Sequence, residues 1–315
     1  MKKFTKISLI IAGIMTVVGF GFVIAGSVIA GGMGALAAEL RSGDLNFGNW
    51  HFENGVSYVN ENVYNMADML ENAMDTLPTG SEHVTDKFSE TITGLEIDTD
   101  LANITVKSSD VDEITVSLED GYLNYYDVKI DGDMLHISYD VGAHTFKKGP
   151  KITVEVPEGV VLEHIYANTD LGEVRILNLR QPLVDLTINA NLGNVKVEDC
   201  KVNGSGVITA ALGNIEVDDS YFERLELSAD TGNIEFSGSI EEDLGAQADM
   251  GNIDVELDGD VEDYNIELAS DMGNVTFGGQ KREGGMGGEF TSYHTEATAY
   301  IFLNCDMGDV ELSFD

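Results

Sequence analysis

Basic residues are scarce in this chain. Lys and Arg together number 17, against 56 Asp and Glu, for a formal net charge of −39. Such a surface excludes a nucleic-acid role, because phosphate needs the opposite sign. It describes a self-repelling, solubilising exterior that attracts cations or a basic partner. Cysteine is nearly absent too, with only Cys200 and Cys305. Their places in the pattern described below set them several coils apart, beyond disulfide reach, so both read as small buried residues. The six histidines are scattered without ligand spacing. No nucleophile elbow, phosphate loop or dinucleotide fingerprint occurs. A polysaccharide-cutting solenoid would need a cleft of carboxylates and basic groups, and the outward positions here carry few basic ones. The enzyme reading is therefore the weakest of three considered below.

What the chain has in abundance is one phrase. Asn191-Leu192-Gly193-Asn194-Val195 returns as Ala211-Leu212-Gly213-Asn214-Ile215, Asp230-Thr231-Gly232-Asn233-Ile234, Asp249-Met250-Gly251-Asn252-Ile253 and Asp271-Met272-Gly273-Asn274-Val275. Looser copies centre on Gly172 and Gly308. Successive glycines stand 21, 20, 19, 19 and 22 residues apart, then 35. Two and four residues after each glycine the positions are apolar (Val195 and Val197, Ile234 and Phe236), and the one between is polar. That alternation marks a strand with one buried face. Seven and five residues before the glycine the pattern repeats, as at Leu186 and Ile188. Three before it the column is small: Thr169, Ala190, Ala210, Ala229, Ala248, Ser270, Cys305.

Each unit is thus two short strands around a glycine corner, too small to bury its apolar edge except by stacking on its like. The expected fold is all-β, a parallel β-helix (β-solenoid) with coils of about 20 residues. A meander of antiparallel hairpins is the rival. The solenoid is preferred because each corner carries an apolar residue just before the glycine, expected to point inward. Glycine supplies a positive φ, and the following Asn tolerates the left-handed region and can bond its own backbone, while a stacked Asn ladder would satisfy corner amides that face the interior. Gly172, Gly193, Gly213, Gly232, Gly251, Gly273 and Gly308, with Asn194, Asn214, Asn233, Asn252 and Asn274, are the expected structural corners. The long step is read as an insertion over 278–290, a loop or hairpin extruded from one coil.

The chain begins with a basic head. Ile7 to Ala38 then carries no charge, long enough for the roughly 20 helical residues that span a bilayer. Residues 1–38 are expected to be a head and a transmembrane anchor; cleavage after Ala37 is the alternative. Lys2, Lys3 and Lys6 before the span place the N-terminus in the cytoplasm and the bulk of the chain outside. Gly13, Gly21 and Ala25, and Gly26, Ala30, Gly34 and Ala38, set small residues at intervals of four and eight, a face for a neighbouring membrane helix. Residues 39–87 read as an acidic tether with an amphipathic helix over 56–77, closed by Pro78. Residues 88–160 read as irregular β structure that starts the solenoid, and 161–315 as its regular repeats. The last strand, Val310 to Phe314, is expected to be a terminal edge guarded by Asp315.

Leu95-Glu96-Ile97, then Asp100-Leu101-Ala102-Asn103-Ile104-Thr105-Val106, Val128 to Ile137 and Ile152 to Glu158, run into the tandem Leu-Gly-Asn-Val and Met-Gly-Asn-Ile units. In that order behind a hydrophobic anchor, these motifs resemble a bacterial family of unknown function, putative adhesins with β-strand repeats. The resemblance covers about 88–315. It implies a right-handed solenoid on the surface of a bacterium, of Gram-positive type.

The one candidate ligand site is the aspartate two residues before the glycine: Asp170, Asp230, Asp249, Asp271 and Asp306, with Asn191 and Ala211 interrupting. Stacked carboxylates repel, and Ca²⁺ could bridge them. The alternative is a local turn bond from each aspartate to its own backbone. No other cofactor is expected. The leading expectation is a membrane-anchored extracellular binding or structural module that meets a cell-wall glycan or a host or protein ligand along its side. The alternative is a regulatory or envelope-stress component working through a membrane partner.

Overall fold

The computed structural model describes residues 46–47, 50–51, 80–89, 91–142, 149–282 and 287–314. The chain divides into two units, Met1–Thr79 with Thr145–Lys148, and Gly80–His144 with Gly149–Asp315. In the first, Asn46–Phe47 pairs antiparallel with Trp50–His51. The expected anchor and amphipathic helix lie outside the described residues. Among the described residues no helix is long and apolar enough to cross a membrane.

The second unit is one sheet of 21 strands wound into coils. Equivalent residues of successive repeats pair in parallel, glycine phrase on glycine phrase, as Val195 on Ile215 and Ile215 on Ile234. This decides against the antiparallel meander. Each coil has a first face before the glycine and a second face after it. A short third run connects them, seen at Lys201–Val202 on Tyr221–Phe222 and on to Ser239–Ile240. The inward columns are those the alternation predicted. Leu186, Ile188, Val197, Val217, Ile234, Val255 and Leu303 are each at most 1% exposed apart from residues of the small column, where Ala190, Ala210 and Ala229 show 2%. Gly206 interrupts an inward column of large aliphatics. The Phe222 ring of the next coil fills its space, so that a Cβ there would lie 2.6 Å from Cε1. Core volume is thus conserved across two coils rather than within one.

The order of coils in space departs from the order in sequence, at both ends. Gly94–Thr99 pairs with Met134–Tyr139 on one side and His164–Leu171 on the other. Asn103–Ser109 likewise lies between Lys151–Pro157 and Val174–Leu177. At the far end Ala299–Met307 lies between Ile234–Met250 and Tyr264–Met272. Val310–Phe314 lies between Ile253–Leu257 and Val275–Phe277. The last strand is therefore an interior strand paired on both sides, not the expected terminal edge. The step of 35 residues is correspondingly more than an extruded loop: the chain passes beyond its final place, builds the outermost coil, and returns to fill the gap.

Antiparallel strands finish both ends. Tyr126–Asp131 covers Met134–Tyr139, and Ile114–Gly121 covers Lys151–Pro157 and carries Glu82–Phe88 in turn. Strand structure thus begins six residues before the expected Phe88. At the other end Gly288–Ser292 covers Tyr264–Met272, and Gln280–Arg282 covers Val275–Phe277. The expected insertion supplies these two covering strands. Lys87, Lys129 and Lys281 lie on the outermost strands, where charge discourages pairing with another chain.

Candidate functional site

The glycine corners are built by close approach. Gly193, Gly213, Gly232, Gly251 and Gly308 have φ between 150° and 158°, a region side chains avoid. A Cβ at any of them would overlap the carbonyl oxygen of the preceding coil's glycine. The glycine N–H in turn donates to the next coil, as from Gly193 to Leu212 O and from Gly251 to Met307 O. The corner Asn residues form the expected ladder between coils, without the left-handed backbone. None has a positive φ, and their side-chain carbonyls reach the next coil rather than their own backbone. Asn194 Oδ1 accepts from Asn214 N–H, Asn214 from Asn233, and Asn233 from Asn252, each at 2.9 Å. Asp309 continues the line: its N–H donates to Asn252 Oδ1 and its carboxylate accepts from Asn274 N–H at 2.8 Å. The ladder runs along the outside of the corner, with Asn214 and Asn252 exposed. The apolar column before the glycine also faces outward at the far end, where Met272 is 52% and Met307 41% exposed. A corner turned this sharply throws both flanking side chains away from the core.

All five candidate aspartates are exposed. Asp170 accepts from Asn191 Nδ2 at 2.6 Å. Asp230, Asp249, Asp306 and Asp271 follow one another on adjacent coils, in that spatial order. They form a line along an edge. Among the described residues no three His, Cys, Asp or Glu side chains converge as metal ligands would. Burial pushes the Cys200 thiol up to about 11, and Cys305 is raised for the same reason. Both cysteines are free and buried, and neither is a poised nucleophile.

A second corner escaped the sequence reading. Asn178, Asp199 and Asp219 adopt left-handed φ of 47–53°, and Gly238 takes φ 134° at the same place in the next coil. The signal was present six residues after Gly172, Gly193, Gly213 and Gly232, where every residue is a type that tolerates positive φ, before Leu257 and Phe314 break the column. Beside this corner runs a polar groove of about 430 Å³ that includes Arg180, Asp199, Lys201, Asp219, Tyr221 and Asp258. Its charges are largely spent on one another. Arg180 Nη1 lies 3.5 Å from Asp199 Oδ2. Lys201 Nζ stands 4.5 Å over the Tyr221 ring, and Ser239 donates to Asp258 at 2.8 Å.

The two ends of the first face differ in chemistry. At the 94–109 end His136 Nδ1 meets Glu96 Oε2 at 2.8 Å. His164 Nδ1 lies 3.0 Å from Asp185 Oδ2 without forming a hydrogen bond. Asp98, Asp100 and Asp170 share a polar hollow of about 230 Å³ with Asn168, Asn189 and Asn191. Partial desolvation, then Asp100 and Glu96, raises the Asp98 carboxyl above its usual range.

At the opposite end the outward positions are aromatic. Spatial order puts Gly245 beside Phe302 and Phe302 beside Glu267; along the same strands Asp243, Tyr300 and Asn265 align, as do Gln247, Asn304 and Ala269. Phe302 and Tyr300 are half-buried, and Tyr293 is 63% exposed. The Tyr293 hydroxyl donates to Glu267 Oε1. This bond, and a second from Tyr300, holds the Glu267 carboxyl below its usual range. The Tyr300 hydroxyl is shifted up, first by desolvation and then by Glu267. A Cβ added to Gly245 would meet no atom within 4 Å, so an open notch one strand spacing away, roughly 4.8 Å, adjoins the Phe302 ring. Sequence reasoning missed this patch because its members lie on three separate coils.

A known family model matches residues 92–279, which hold the interlocked first coil and most of the glycine corners. The chain belongs to the Toastrack DUF4097 family. No curated protein matches it. Among solved structures, this Toastrack chain is similar to a putative adhesin from Bacteroides fragilis, at 16% identity and TM-score 0.40, over 73% of this chain and 97% of that one. A putative adhesin from Parabacteroides distasonis matches at 15% identity and TM-score 0.36, over 73% and 97%. A putative cell adhesion protein from Clostridium sporogenes matches at 10% identity and TM-score 0.30, over 74% and 99%.

Proposed function

We propose that this Toastrack protein is a membrane-anchored, extracellular, non-enzymatic binding module that meets its ligand along the side of the stack. The observation that carries the reading is the aromatic patch at the far end of the first face. Tyr293 is exposed and Tyr300 and Phe302 are half-exposed on a sheet whose other apolar side chains are mostly inside. Exposed aromatics on a rigid, hydrogen-bonded frame favour binding, because little side-chain freedom is lost when a partner arrives. The uncharged run 7–38 supplies the expected anchor and the lysines before it the expected orientation. Ca²⁺ along the aspartate line is not needed for this function.

Protease treatment of intact cells making the full-length protein tests the location, and sedimentation of the purified protein with cell envelopes tests the binding. Cleavage within 80–315 and co-sedimentation are expected. Protection of that region on intact cells would overturn the extracellular placement, and release of sugars from the envelope would overturn the non-enzymatic one. Replacing 1–38 with an unrelated membrane span should leave envelope binding intact. If binding instead vanishes, the function belongs to a membrane partner of the anchor, which is the regulatory reading.

A further inference from the structure

The patch also specifies what it takes. We propose that Tyr300, Phe302 and Tyr293, with Glu267 between them, form a subsite for an uncharged hexopyranose chain; the inference rests on the binding-module reading above. Three features select that chemistry.

The first is the rings. Phe302 and Tyr300 stand two residues apart on one strand and project on the same side. The negative face of an aromatic ring attracts the weakly positive C–H face of a pyranose, by the same quadrupole that favours edge-to-face aromatic pairs. The tyrosine hydroxyls are both tied to Glu267, so these two rings are fixed before a ligand arrives.

The second is the edge chemistry. Gln247 and Asn304 lie beside the Phe302 column on neighbouring coils, and Asp243 beside Tyr300. Amides donate and accept, and carboxylates accept, which matches sugar hydroxyls that do both. The notch over Gly245 gives a ring substituent room next to the Phe302 platform.

The third is charge. Asp243, Asp249, Asp306, Glu267 and Glu289 lie on this part of the face, and among the described residues no Lys or Arg does. Arg224, one coil further on beside Asp243, is paired with Glu223 and Glu242. An anionic glycan or a phosphate polymer is therefore repelled. A cationic ligand is the remaining competitor, because a carboxylate among aromatic rings also suits an ammonium group. The hydroxyls tied to Glu267 already satisfy much of that carboxylate, which is why the neutral chain is favoured.

The test uses the full-length protein in nanodiscs and calorimetric titration with a neutral panel: oligomers of β-1,4-N-acetylglucosamine, β-glucan and α-mannan. The deacetylated glucosamine oligomer is the cationic comparison and oligogalacturonate the anionic one. Saturable binding to at least one neutral member is expected, with at least tenfold weaker binding of the cationic and anionic oligomers. Phe302→Ala should weaken it at least tenfold. Gly245→Val should do the same while leaving the melting temperature unchanged or higher, since the site is open and β-branched residues suit a strand. Binding of no neutral member, preference for the deacetylated oligomer, or neutral binding untouched by both variants would each overturn the inference. If the parent protein sediments with envelopes while binding none of the panel, the subsite fails and the broader binding reading stands.

Discussion

At one end of the stack, residues 94–109 sit between the 134–157 coil and the Gly172 coil; at the other, residues 299–314 sit between the Gly251 and Gly273 coils. Both ends are made the same way, by sealing a terminal stretch of the solenoid one coil inside a coil taken from mid-chain. They are finished differently. The 94–109 corner has Ala102, and the coil outside it Pro150, where the regular repeats have glycine, and Asn103 N–H donates to Pro150 O at 2.9 Å. The far end keeps its glycines and adds a hairpin. Outside, one end carries histidine–carboxylate pairs and the other an aromatic patch. The comparison separates two requirements. Topology is spent on keeping the terminal strands from fraying, whereas surface chemistry is free to differ, so the difference between the ends is where function is to be sought.

The largest way to break the symmetry is to remove 299–315. If the last coil is an interior member of the stack, its loss unpairs the strands on both sides. The cooperative thermal transition of 80–315 should then be lost or split rather than shifted slightly. Deleting 280–293 instead should cost much less, and circular dichroism melts of the two deletions measure the contrast.

Next in size is the corner. Gly232→Ala places a Cβ against the Gly213 carbonyl and should cost about 4 kcal/mol or more in urea unfolding, the range of backbone overlap in a core. A loss below about 1 kcal/mol would mean that the coils are not in backbone contact there. Asn233→Ala removes one acceptor from Asn252 N–H, and about 1 kcal/mol is expected. Asn233→Asp should be nearly silent, since Asp309 already serves in the same line.

Smaller still is Lys196, whose ammonium contacts Glu216, Asp218 at 3.0 Å and Glu198 at 3.3 Å. Hydrogen bonds from Glu216 and Asp218 raise its pKa. Lys196→Gln should cost about 1 kcal/mol in low salt and less in 1 M salt, as part-exposed pairs do. An effect independent of salt would assign the loss to packing instead.

The two ends should also answer pH in opposite senses. Asp98 is raised in the folded state, so its ionised form opposes folding. That cost is absent below the unfolded value of about 3.9 and grows as pH rises through the folded one. Asp98→Asn should therefore raise the melting temperature at pH 7 and not at pH 3. Glu267 is lowered, so its contribution is present above about 4.3 and is lost as pH falls through the folded value. Glu267→Gln should lower the melting temperature at pH 7 and match the parent in acid. Equal responses at both ends would show that neither carboxyl senses its neighbours.

Much of the interior was legible from the residues alone. Period-two alternation around Gly193, Gly213, Gly232 and Gly251 reports which side chains are buried, because one slip would expose them all. The small column could be read for the same reason. The order of coils could not. Repeats carrying the same apolar columns stack equally well in several orders, and nothing in the phrase around Gly308 says that it belongs beside Gly251 rather than beyond Gly273. The binding patch was hidden by the same ambiguity. In sequence order Gly245 would adjoin Glu267, and Phe302 would lie outside both; only the returning coil puts the ring between notch and carboxylate. The Asn ladder could be read from the column, but not its place outside the corner or its ordinary backbone, since local turn chemistry and a ladder between coils ask for the same residue.

The place of the last coil can be tested directly. Asp254 pairs with Glu311, and Glu311 with Thr276. Strand neighbours are roughly 4.8 Å apart, inside the Cα range that a disulfide closes, whereas Asp254 and Thr276 are two spacings apart. The double variant Asp254→Cys with Glu311→Cys should crosslink readily under mild oxidation, and Asp254→Cys with Thr276→Cys should not. The reverse result would mean that the coils stack in sequence order, and would dissolve both the interlocked end and the patch it creates.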